Sequence, residues 1–213
     1  MSEHHEHIPD RAEISHTTVR ELLTEMKDIS EVMVDLAYAA IMFDSEDIAE
    51  EVAHLEERMH TLNYEIRIKA MLSARTYSDA VKIAGLLQVA AAAESISNAA
   101  GDIVTLSRVD PSKKPFLSFV LKEAEEKIKR LTISDISDMV SRSIADLSIE
   151  SETGMRVIAI KRGKRWIYDP EDDIVLKAGD IIIVRGTESG SELLRKYVSG
   201  EIKWPVYPAE EDE

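Results

Sequence analysis

Two groups of side chains in this 213-residue chain could do chemistry. The first is a run of cations, Lys161, Arg162, Lys164 and Arg165, interrupted by Gly163. A guanidinium presents a planar fork of donors that matches phosphate oxygens, and an ammonium adds a point charge. In a chain of formal net charge −15, such a cluster is either an anion site, with Ile160 closing the strand before it, or a solvated turn that aids solubility. The second group is acidic. Glu94, Asn98 and Asp102 recur at a spacing of four, which places them near one face of a helix. Asp44, Asp47 and Glu51 share a face of a second helix. Carboxylates converging between helices bind hard cations through oxygen. The alternative is that Asp44 and Asp47 cap their helix and Glu51 faces water.

Other chemistries lack their parts. The chain has no Cys, so disulfides, thiolate metal sites and Cys nucleophiles are excluded. No Ser sits in a nucleophile elbow, and His16, His54 and His60 lie on helical stretches without an acid partner motif. No G-x-G-x-x-G follows a strand, so NAD binding is not expected, and neither is an enzyme. The 41 acidic against 26 basic side chains disfavour a nucleic-acid binder, which would show a basic face. His4, His5 and His7 read as a solvated tail more readily than as a chelator. MSEHHEHIPD has no apolar h-region, and the apolar run Ala84–Ala93, which includes Gln88, is shorter than the ~20 residues of a membrane span. The expected location is therefore cytoplasmic, peripheral to a membrane only through a partner.

The elements that must hold these groups are mostly helices. Thr18 with Glu21 forms a capping box, and Val19, Leu22, Met26, Ile29, Met33 and Leu36 follow at three- and four-residue steps. Asp44-Ser45 breaks that helix, and Ile48, Val52, Leu55, Met59, Leu62 and Ile66 give the next its seam. The short gap folds the two antiparallel. Thr76–Asp79 opens a third helix reaching about Leu106, in which Gly101 marks a close contact, since Gly costs ~1 kcal/mol against Ala there. Val109–Pro115 reads as a linker and Phe116–Leu131 as a fourth amphipathic helix. Six of the eight Gly residues lie from Gly154 onward. There Met155–Ile160 and Arg165–Tyr168 read as a hairpin, Ile181–Val184 as the most apolar strand, and Ser189 with Glu192 as the capping box of a last helix. The expected architecture is α+β overall: an antiparallel helical bundle over 1–130, then a small α+β domain over 131–213 with an acidic tail.

The second half resembles the TrkA-C domain, the C-terminal lobe of RCK regulators of potassium channels and transporters. The matching residues are Ile144-Ala145-Asp146-Leu147, Gly154, Val157 to Gly163, Pro170, Leu176, Gly179-Asp180, Ile183-Val184 and Gly186. The Gly that the family has before the first helix falls here at Ser141. The stretch from Val19 to Ile66 resembles one half of a PhoU domain, the helical regulator of phosphate uptake. That second resemblance implies a cation, divalent or iron, held by an acidic motif to which Glu94 and Asp102 correspond, with Asp44 and Asp47 adding ligands. Asn98 stands where that family has Asp. The first implies a small anionic ligand such as cyclic di-AMP near Ile160, Lys161, Arg162, Lys164 and Arg165. Together they imply a regulatory subunit of potassium transport, a homodimer partnered by a membrane channel or transporter. The alternative is a PhoU-type metal-binding regulator of phosphate uptake. The expected dimer surfaces are the Ile181–Val184 strand, which needs cover on both faces, and the seam of Leu22, Met26 and Ile29.

Overall fold

The computed structural model describes residues 17–105 and 127–205. Helix α1 spans Val19–Phe43 and opens on the expected reciprocal cap. The Glu21 amide donates to Thr18 Oγ1 at 3.2 Å and the Thr18 amide donates to Glu21 Oε2 at 2.6 Å. It ends at Asp44, which takes a left-handed conformation (φ 48°) so that its amide reaches the Ala40 and Ile41 carbonyls. Helix α2 (Glu46–Ser73) follows directly, with Ser45 at its N-cap. Helix α3 (Tyr77–Thr105) opens on a second reciprocal pair, Thr76 with Asp79, both bonds 3.1 Å. The three pack into a bundle whose far end is filled by Leu22, Met26, Met59, Leu62, Ile66 and Ala90. Gly101 sits where a Cβ would come within 2.6 Å of Glu56 Oε2, the close contact its presence in a helix implied.

The chain then builds a four-stranded antiparallel sheet in the order β1-β4-β2-β3. Its strands are β1 (Lys127–Thr132), β2 (Met155–Arg162), β3 (Arg165–Tyr168) and β4 (Ile181–Gly186). Short helices α4 (Ile144–Leu147) and α5 (Ile149–Thr153) precede β2, and α6 (Glu188–Ser199) follows β4. Two expectations are corrected here. Lys127–Leu131, read as the end of a fourth helix, lies in β1, so the boundary placed at 130 falls inside a strand; residues 116–126 lie outside the described residues, as do 1–16 with the His tail and 206–213 with the acidic tail. The cause is tertiary: β1 satisfies its backbone by pairing with β4 from Lys127↔Gly186 to Thr132↔Ile181. The last helix is capped by Thr187, whose Oγ1 accepts from the Gly190 amide, so Ser189 and Glu192 lie within the helix rather than forming its box.

The sheet is covered on both faces within one chain. Ile182, Val184, Met155, Val157, Ile160 and Leu176 pack with Leu194 and Trp204 on the α6 side. Ile128, Ile158, Ala159 and Ile183 join the near end of the bundle, against Leu36, Ala40, Val52 and Leu55. The apolar strand Ile181–Val184 therefore finds its cover in the bundle on one face and in α6 on the other, and Leu22 and Met26 are spent inside the bundle; neither is a free dimer surface. A β-bulge sets the two faces. Val157 pairs with Val184 and Ala159 with Ile183, leaving Ile158 as an extra residue that reverses the alternation downstream.

Helix α3 packs on α1 and α2 along one side and leaves its other side open. Among the described residues it is the one helix long and apolar enough, by length and composition, to cross a membrane, yet only 17% of its most apolar window is buried.

Candidate functional site

The hairpin tip separates into committed and uncommitted cations. Because of the bulge, Ile160 and Arg162 face the α6 side while Lys161 faces the bundle. Ile160 is fully buried, so its side chain is core rather than ligand surface. Arg162 makes a forked ion pair with Asp180, Nε to Oδ1 at 2.8 Å and Nη2 to Oδ2 at 2.7 Å, and donates a third bond to the Val175 carbonyl. Asp180 is 1% exposed and also accepts from the Lys177 amide at 2.8 Å. The carboxylate bond raises the pKa of Arg162 above the ordinary value. Arg162 is thus the counter-ion of a buried carboxylate, a partnership that sequence spacing did not disclose; the one signal was the adjacent Gly179-Asp180 turn.

Lys161 reaches across to α2. Its Nζ lies 2.5 Å from Asp47 Oδ2 and 5.6 Å from the centroid of Trp166. The hydrogen bond from Lys161 holds the Asp47 carboxyl below the usual range. One turn on, burial pushes the Glu51 carboxyl up, against the attraction of His54 and Lys161. Lys164 and Arg165 are exposed at the tip and make no ion pair among the described residues.

The acidic residues do not gather. Among the described residues no group of three or more His, Asp or Glu side chains could hold a metal ion. Asp44 is the exposed helix-terminating residue and Asp47 holds Lys161. Glu94 faces α2, where Oε1 meets His60 Nδ1 at 3.2 Å, Oε2 accepts a hydrogen bond from Asn63 Nδ2, and Arg67 lies 3.7 Å away. Asp102, two turns further along α3, is exposed. The spacing that put Glu94 and Asp102 near one face is not fine enough to turn both inward, because a step of four drifts about 40° per repeat on a 3.6-residue helix.

A PhoU domain model matches residues 23–106 and a TrkA-C domain model matches residues 128–199. The chain joins a PhoU domain to a TrkA-C domain. Potassium channel protein 1 of Methanocaldococcus jannaschii is 30% identical over 93 residues, 43% of this chain and 28% of the relative. Probable potassium channel protein 2 of the same organism is 29% identical over 101 residues, 45% and 29%. The chain thus spans under a third of the channel proteins it matches. Among solved structures, the RCK C domain of the potassium transport protein KtrA in complex with cyclic di-AMP is 33% identical, covering 39% of this chain and 96% of that one at a TM-score of 0.33.

The PhoU and TrkA-C domains meet along α1, α2 and the sheet. Arg185 of β4 donates Nη1 to both Asp35 oxygens at 3.0 Å, with the Asp35 side chain 13% exposed. With Lys161–Asp47, this pair clasps the rim of the apolar contact. A groove of about 770 Å³ runs beside it, lined by Arg20, Glu25, Asp28, His54, Arg58 and Tyr168 among others. Its lining is net acidic, with Glu21, Glu25, Asp28, Asp169 and Glu171 against Arg20 and Arg58, and Arg58 is paired with Glu25 at 2.6 Å. A smaller groove of about 320 Å³ is lined by Asp35, Ile96, Arg156 and Arg185 among others, and neither groove includes the hairpin cations.

Proposed function

We propose that this chain is a regulatory subunit of potassium transport on the cytoplasmic side of a membrane. In this reading the TrkA-C domain takes a small anionic ligand, and the PhoU domain docks on the transporter or holds the assembly together. The observation that carries it is the similarity to two potassium channel proteins, 30% over 93 residues and 29% over 101 residues. The chain works without catalysis and without NAD. The anion-binding groups are Lys164 and Arg165 at the exposed tip, with Lys161 as the residue shared between ligand and bundle. An anion that takes Lys161 from Asp47 loosens one of the two ion pairs that clasp the domains, so occupancy of the hairpin is felt by α2. A two-fold symmetric diphosphate such as cyclic di-AMP suits two hairpins brought together across a dimer axis.

Calorimetry with cyclic di-AMP, ATP and AMP tests the ligand half. Each charged hydrogen bond to phosphate contributes about 1.5–3 kcal/mol, so Lys164→Ala and Arg165→Ala each weaken binding about tenfold or more. Absence of heat with all three, or unchanged binding by the double variant, overturns it. Rubidium uptake through a co-expressed potassium channel, with and without this chain, tests the transport half; identical fluxes at every ligand concentration would remove it.

A further inference from the structure

Helix α3 carries two stripes. The inner one, Ile83, Leu87, Ala90, Ser97 and Val104, is turned into the bundle. The outer one runs Val81, Gly85, Gln88, Ala92, Ile96, Ala99 at steps of three and four, and every residue in it is exposed. From Ile83 to Ala93 no charge interrupts the helix. The large apolar side chains around the stripe are open to water: Val81 is 55% exposed, Val89 59% and Ile96 45%. Gly85 is the second, independent sign. Gly in a helix interior costs about 1 kcal/mol against Ala, and a Cβ added there meets nothing within 4 Å among the described residues, so no contact among them accounts for it. Its missing side chain serves an approach from outside.

We infer that the outer face of α3 is the contact between two copies of this chain, packed antiparallel about a two-fold axis between Gln88 and Val89. The sequence is self-complementary about that axis. Gly85 falls opposite Ala92, so the backbones approach closely at the small residues. Val81 falls opposite Ile96, apolar against apolar. A 29-residue helix is about 43 Å long and about 10–12 Å wide. Its face, extended by the exposed Met71 and Leu72 at the end of α2, supplies on the order of 500 Å² per copy, enough for the ~1,000 Å² total of a specific interface. A lipid surface is the poorer occupant, because a chain of net charge −15 is repelled by anionic headgroups. This contact lies on the PhoU domain and does not depend on any ligand of the TrkA-C domain.

The chain has no Cys, so single cysteines report on it cleanly. Under mild oxidation of the full chain, Gln88→Cys forms a disulfide-linked dimer at least tenfold faster than Lys27→Cys on the outer side of α1. Ala92→Glu introduced beside Gln88→Cys abolishes that advantage. Equal cross-linking rates for the two single-cysteine chains overturn the inference, whether or not Ala92→Glu folds. So does flotation of the wild-type chain with phosphatidylglycerol vesicles that Ala92→Glu prevents, which would assign the face to lipid.

Discussion

Arg162 shows how differently a residue reads in sequence and in space. As one of four neighbouring cations it is a ligand candidate; in the fold it is the partner of Asp180, which is 1% exposed. Removing one member of a buried pair leaves the other charge uncompensated, at a cost of about 3–5 kcal/mol for a fully buried pair. Arg162 itself is 29% exposed, which places the expected loss for Arg162→Ala at the lower end, about 3 kcal/mol by chemical denaturation. Asp180→Asn should cost less, since it keeps a group able to accept the Lys177 amide. Arg162 is therefore a poor probe of ligand binding, and Lys164 and Arg165 are the better ones. Glu94 carries the same lesson: Glu94→Ala would strip the acceptor from buried Asn63 and lower stability whether or not a cation binds, whereas Glu94→Gln keeps it. Glu51 supplies a pH test. Burial raises its folded pKa above the unfolded value, so its favourable contribution is complete below the ordinary carboxylate range and is lost as pH rises through the folded pKa. Glu51→Gln should accordingly stabilise the protein at pH 7 and leave it unchanged near pH 3, read as the difference in Tm between variant and wild type at each pH.

At the level of elements, the sequence was legible wherever a local signal decided the structure. The Thr18–Glu21 box, the Asp44-Ser45 break, the Thr76–Asp79 start and the β2–β3 hairpin all rest on neighbours in the chain. What distant partners decide was not legible. Lys127–Thr132 has the mixed polar and apolar pattern of an amphipathic helix end, and only pairing with β4 makes it a strand. The Thr187 cap was hidden because Ser189 and Glu192 offered an equally good local pattern two residues on. Ser141, read as standing at a Gly position, has φ 67°. A left-handed conformation costs a non-Gly residue about 1 kcal/mol or more, partly offset by the greater unfolded-state freedom of Gly. Ser141→Gly should thus raise Tm by a few degrees without altering the fold. The opposite holds at Gly190, where a Cβ would lie 2.1 Å from the Thr153 carbonyl oxygen. Backbone cannot yield as a side chain can, and Gly190→Ala should push α6 off the α5–β2 turn at a cost of about 1–3 kcal/mol, measurable in the same denaturation experiment.

On the scale of the whole molecule, two domains share one core. The near end of the bundle and one sheet face form a single apolar cluster, rimmed by Asp35–Arg185 and Asp47–Lys161. Trp166 lies in the TrkA-C domain and Trp204, just beyond it, packs into its core, while most helical signal comes from the PhoU domain. Fluorescence and far-ultraviolet dichroism therefore report on different domains, and in the wild type their unfolding transitions should coincide. The double variant Asp35→Asn, Asp47→Asn should separate them, with the Asp35 bonds contributing about 1.5–3 kcal/mol. Acid should act in the same direction. Asp47 has a lowered folded pKa, so its contribution is present above the ordinary Asp value and is lost as pH falls through the folded one.

The bulge at Ile158 decides which cation speaks to which neighbour. Adjacent residues of a regularly paired strand point to opposite faces, so Lys161 and Arg162 diverge; the extra residue upstream settles the assignment, sending the lysine to the bundle and the arginine to the buried aspartate. Keeping Ile158 but pairing the whole of β2 regularly with β4, with no bulge, would exchange the two. A compact ammonium on a flexible stem would then be asked to replace a fork bonded through two nitrogens to Asp180, and the arginine would face Asp47 across the domain contact. Parity in one strand thus acts as an address, and a strand of the same length paired without the bulge would need its acidic partners rewritten on both sides of the sheet to keep the same wiring.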